Sequence, residues 1–159
     1  MENCFRYILI MDNKEFKKQL GDIIKSYDFK SAFGSWYKES DECIVVIRLQ
    51  KSNYSNCYYL NIETFIQGAF GRKHSANRYL MKELYYGDVS QQITGSPIFD
   101  LSKDVSMSDE ERIKKLKTTF SDFVVPFTEQ VLSKVGIIKM FEEKRIYLTP
   151  AVRDELGIE

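Results

Sequence analysis

The chain contains a single histidine, His74. One imidazole cannot build a multi-histidine metal site, and a serine–histidine–acid triad would depend on this one position. Cysteine is scarce as well. Cys4, Cys43 and Cys57 are odd in number and lack metal-ligand spacing, so they read as free thiols, not as a disulfide framework. Neither sign of charge dominates, with 23 basic and 23 acidic residues. A dedicated nucleic-acid binder needs a basic excess to neutralise phosphates, so nucleic acid is not the expected partner. No apolar run reaches the roughly 18 residues of a membrane span. The apolar start, residues 1–10, has no basic segment before it and no small-residue cleavage site after it. Neither a membrane anchor nor a secretion signal is expected, and a cytoplasmic location follows as the working expectation.

Cofactor fingerprints are missing too. Gly68-Ala-Phe-Gly71 followed by Arg72-Lys73-His74 has the glycines and cations of a phosphate cradle. It matches neither the P-loop nor the dinucleotide motif. No cofactor and no metal are expected. Repeats, low-complexity tracts and linkers are absent from the sequence, which points to one domain over residues 1–159.

Aromatic residues, by contrast, are plentiful: 14% of the chain, including 10 Tyr and 11 Phe. They supply a filled core and argue against disorder. Asp12-Asn-Lys-Glu15 is a capping-box pattern with Asp as the cap. Phe16, Leu20, Ile23, Ile24 and Tyr27 then form one apolar helical stripe with lysines opposite. A helix starting just after Met11 makes residues 1–10 either an extension or an additional strand.

Residues 29–39 read as two short strands around a turn at Phe33-Gly34-Ser35. Residues 43–50 and 58–65 read as a hairpin with a polar tip, Lys51 to Asn56. In the first of these strands Ile44, Val46, Arg48 and Gln50 alternate with Cys43, Val45, Ile47 and Leu49. Its first half is apolar on both faces, as in a covered central strand, and its second half opens to a polar face. Residues 66–100 are punctuated by Gly68, Gly71, Gly87, Gly95 and Pro97. A structureless stretch of that length is uncommon, so a further element, a fifth strand among the options, is expected there. Residues 77–86 fit either a helix or a strand.

Ser108-Asp-Glu-Glu111 is a second capping box. It opens a helix over 109–125 that Pro126 should kink or restart. The apolar face continues to Gly136, read as the residue just past a helix end. Thr149-Pro150 caps a last short helix that Gly157 closes. The expected fold is α+β: an N-terminal helix and C-terminal helices packed on an antiparallel sheet of four to five strands.

Several residues bear on function. Arg48, Asn61 and Glu63 share one sheet face in simple register, as a groove lining or as a solvent-side cross-strand charge pair. Trp36 and Tyr37 are adjacent and must point to opposite faces, one to the core and the other available as a binding anchor. Tyr54, at the tip, sits among residues typical of a recognition loop or of any exposed turn. His74, with Arg72, Lys73 and Arg78, reads as an exposed loop histidine or as an anion or partner contact.

Glu15-Phe-Lys-Lys-Gln-Leu20, Phe29-Lys30, Gly34-Ser-Trp-Tyr37, Ile47-Arg-Leu-Gln-Lys-Ser-Asn-Tyr-Ser55 and Tyr58-Tyr-Leu-Asn-Ile62 together resemble the bacterial domain-of-unknown-function family 4304. The resemblance is strongest over residues 11–66, and Phe99-Asp-Leu101 before a long helix is compatible with it. It implies a small bacterial cytoplasmic α+β domain and no known activity. The reading that follows is a non-enzymatic macromolecule-binding protein, of which immunity proteins are one class. Its surface would comprise Trp36, Tyr37, Arg48, Tyr54, Asn61, Glu63, Arg72 and His74, and its partner would be another protein. The competing reading is a small-ligand binder or enzyme using the polar sheet face and the 72–78 segment.

Overall fold

A computed structural model describes residues 11–83, 86–94, 97–102 and 105–159; the question of what residues 1–10 form lies outside them. Helix α1 (Asn13–Lys25) opens on Asp12, whose side chain accepts from the Glu15 N–H at 2.7 Å. Phe16, Leu20, Ile23 and Ile24 are buried along its inner stripe, as the spacing predicts. Five strands follow: β1 (Lys30–Ala32), β2 (Ser35–Glu39), β3 (Cys43–Lys51), β4 (Tyr58–Ile66) and β5 (Val89–Ile93). They form one sheet in the order β1-β2-β3-β4-β5, every pair antiparallel. The fifth strand lies inside the stretch where a further element was expected.

The β1–β2 turn is two residues long, with Ala32 opposite Ser35. Phe33 and Gly34 both take left-handed backbone angles, φ 51° and 80°. That is the mirror-image turn whose twist matches a hairpin. Gly34 adopts it freely, whereas a phenylalanine there is strained.

Pleating divides the sheet. One face carries Cys43, Val45, Ile47, Leu60, Ile62 and Ile66 into the main core with α1 and the C-terminal helices. Phe16 stacks on Tyr58 there, ring centroids 5.5 Å apart, and meets Phe99 edge-on. On the other face Ile44, Val46 and Phe65 pack under Leu80 and Met81, from a single π-helical turn at Tyr79–Glu83. This second cluster covers only the end of the face near the start of β3. Beyond Val46, among the described residues, the face turns polar and opens gradually to solvent: Arg48 and Glu63 are still buried, and Gln50 is exposed.

Helix α2 (Asp109–Thr119) is capped by Ser108, which accepts from Glu111 N–H at 3.1 Å. A π-helical turn (Phe120–Val124) then leads into α3 (Val125–Val131). Val125 N–H reaches back to Phe120 O, one residue further than an α-helix allows. Pro126 accounts for it. The proline has no N–H to give and its ring crowds the carbonyl four residues back, so the helix widens locally instead of breaking.

Gly136 does not end this helix, as the apolar spacing suggests. The chain leaves α3 at Leu132, Ser133 caps a new helix, α4 (Lys134–Glu142), and Gly136 N–H donates to the Ser133 hydroxyl at 3.0 Å. A serine cap hidden inside one continuous apolar stripe made two helices look like one. Helix α5 (Pro150–Leu156) begins at its Thr149 cap and ends at Gly157, φ 70°, as expected. No helix among the described residues is long and apolar enough to cross a membrane.

Candidate functional site

The open half of the sheet face is where the polar residues collect. Register places Arg48 beside Asn61, and Asn61 beside Gln92. Asn61 donates from Nδ2 to Gln50 Oε1 at 2.9 Å and accepts from Gln92 Nε2 at 2.7 Å. An amide ladder therefore crosses three strands. It separates two shallow grooves, of about 320 Å³ on the β2 side and about 430 Å³ on the β5 side. Arg48, Phe33 and Lys82 line the first. Glu63, Ser90 and Tyr86 line the second.

Glu63 is 4% exposed. Its Oε2 accepts from the Gly87 N–H at 2.8 Å and from the Ser90 hydroxyl. Burial pushes its carboxyl above the usual range, while Ser90, Gly87 and the positive charge of Arg48 pull it partly back. An oxygen already holding two donors suits fixing a turn more than moving a proton. The turn needs fixing tightly: a Cβ at Gly87 would fall 2.5 Å from Thr64 O, so only glycine lets this backbone lie against β4.

The structure brings Arg48, Asn61 and Glu63 together on one face, as their alternation predicts. It separates the others. Trp36 is 8% exposed and belongs to the main core, and Tyr37 packs half-buried against the second cluster. Trp36 is the core member and Tyr37 lies on the opposite face, as their adjacency predicts; the correction is to the anchor, since Tyr37 is half-buried against the second cluster and does not stand exposed. Tyr54 is 97% exposed, at a tip continuous with Gln50. Arg72 is exposed.

His74 sits at the far end of the sheet, its ring 5.3 Å from Phe65, its backbone N–H donating to Gln67 Oε1 at 2.7 Å. Burial lowers its basicity, Asp88 raises it and Arg72 lowers it further. It lines neither groove. A site joining the polar face to the 72–78 segment is therefore not assembled here. Among the described residues no cluster of three or more His, Cys, Asp or Glu is placed to hold a metal ion.

Sequence reasoning missed Phe33, Tyr86, Ser90 and Gln92. For Phe33 the signal was present: an aromatic followed by glycine between two short strands places the ring on a two-residue turn. Ser90 and Gln92 alternate with Val89 and Gln91, too weak a pattern to reveal an edge strand.

The domain of unknown function DUF4304 matches residues 20–130. The chain belongs to the DUF4304 family. The match runs from α1 through the whole sheet and into α3, so it contains every residue of the two grooves. No curated protein and no solved structure matches the chain.

Proposed function

We propose that this DUF4304 protein is a non-catalytic binding protein of a bacterial cytoplasm, and that it holds another macromolecule on the open half of its sheet and the adjoining 51–56 tip. The observation that carries the reading is the surface itself. Two shallow grooves flank an amide ladder, an exposed aromatic stands at each outer side (Phe33 and Tyr86), and a fully exposed tyrosine stands at the tip. Tyrosine and arginine rank among the residues that carry interface energy, and amides supply adaptable hydrogen bonds around them. Shallow, wide and aromatic-edged relief suits a protein partner better than a small molecule, which favours deep enclosure. Immunity-type proteins are one class with this behaviour, by analogy alone.

The test is capture of partners from the native cell by the wild-type chain and by a Tyr54→Ala/Gln50→Ala variant. Both positions are exposed, so the fold is expected to persist. A partner seated on this face should be lost by that variant, at a cost of about 2 kcal/mol or more. A Tyr147→Ala control, altered at another exposed aromatic, should retain it. Equal capture by all three proteins would overturn the reading.

A further inference from the structure

Resting on that reading, we infer that the groove on the β2 side recognises an acidic polypeptide segment of the partner, with an apolar side chain seated on Phe33 and carboxylates turned to Arg48 and Lys82. Phe33 is 53% exposed on a left-handed turn position, φ 51°. Asparagine or glycine would occupy that position without strain, so folding gains nothing from the phenylalanine there. The ring instead projects beside a groove of about 320 Å³.

The charge of that groove has one sign. Among the described residues its lining includes two cations, Arg48 and Lys82, and no acid. Glu63, across the amide ladder, offsets Arg48 in part. The next acid along, Glu83, is engaged by Arg78 at 3.3 Å, which leaves Lys82 to set the local potential. Arg48 is 8% exposed, and a guanidinium with little access to water makes stronger charge-assisted bonds to a carboxylate than an exposed one. Gln50 and Asn61 continue the groove floor with amides that both donate and accept. An extended segment that alternates apolar and acidic side chains meets these features in turn.

The probe is a random peptide library displayed on phage, selected in parallel on the full chain and on its Phe33→Asn and Lys82→Glu variants. Enrichment on the wild type of sequences that join Asp or Glu to an aromatic or leucine is expected. A synthesised winner should bind Phe33→Asn about tenfold more weakly or worse, and Lys82→Glu more weakly still at low salt than at high salt. The thermal midpoint of Phe33→Asn should meanwhile stay or rise, because asparagine relieves the turn, so weaker binding cannot be ascribed to misfolding. Three results would overturn the inference: enrichment of basic or neutral sequences, equal binding by Phe33→Asn, or no enrichment beyond that obtained on the variant. None of these touches the broader reading, which falls only if the cellular partner ignores the tip and the face.

Discussion

At the scale of single residues, Glu63 links folding to pH. Burial raises its carboxyl above the ordinary range, so between the unfolded and folded values the native state binds more protons than the unfolded chain. Stability therefore falls as pH rises through that interval, and above it the burial penalty is complete. Asp88, also raised mainly by burial, acts in the same direction. His74, whose basicity burial lowers, acts oppositely: its contribution grows as pH rises toward its unfolded value. Glu63→Gln keeps an acceptor for Gly87 and Ser90 yet cannot ionise. Urea unfolding of wild type and variant across a pH series should show the variant gaining on the wild type as pH rises out of the acid range. Parallel curves would mean that the Glu63 carboxyl is not shifted.

Among the elements, Arg112 ties α2 to the turn that follows β5. Its side chain is 1% exposed and Nη1 donates to Pro97 O at 3.0 Å and Ile98 O at 2.6 Å. In sequence it looks like one more charge on a charged helix, Asp109-Glu-Glu-Arg112, with nothing to mark it as inward. The same helix shows what is legible. Ser108 and Glu111 announce the start of α2, and Ile113, Leu116 and Phe120 announce its face. Pro126 announces a disturbance, because each of these signals is local. What Arg112 contacts is not local, and neither is the end of α3, where a serine cap competes with an unbroken apolar stripe. Arg112→Met should strip two carbonyls of their donor, at about 1–3 kcal/mol for a buried unsatisfied group. At this size each kcal/mol lowers the thermal midpoint by about 2–4 °C. Calorimetry checks the total, and an unchanged midpoint would show that the turn is held by other contacts.

For the whole molecule, the described residues cover the sheet on two sides at one end and on one side at the other. This much could be read from β3 alone, where Ile44 and Val46 give way to Arg48 and Gln50 on the same face. What covers the apolar half could not be read, since the sequence over 77–86 carries no clear period, and the π-helical turn Tyr79–Glu83 has only its Leu80-Met81 pair as a strong signal. Local opening is easiest where few apolar contacts must be lost. Ile44 to Ile47 lie under both cores, all fully buried, whereas Gln50, in one of the last rungs of the same ladder, is exposed and lines both grooves. Amide exchange of the free protein should therefore slow steeply from Gln50 toward Ile44, although both ends of β3 are equally hydrogen-bonded to β4. A partner or selected peptide that docks as proposed should slow the fast end and leave the slow end unchanged. Nuclear magnetic resonance resolves these amides one by one. Uniform protection along β3 in the free protein would show that the open face is as hard to breach as the covered one, and the contrast between the two ends would then have no energetic meaning.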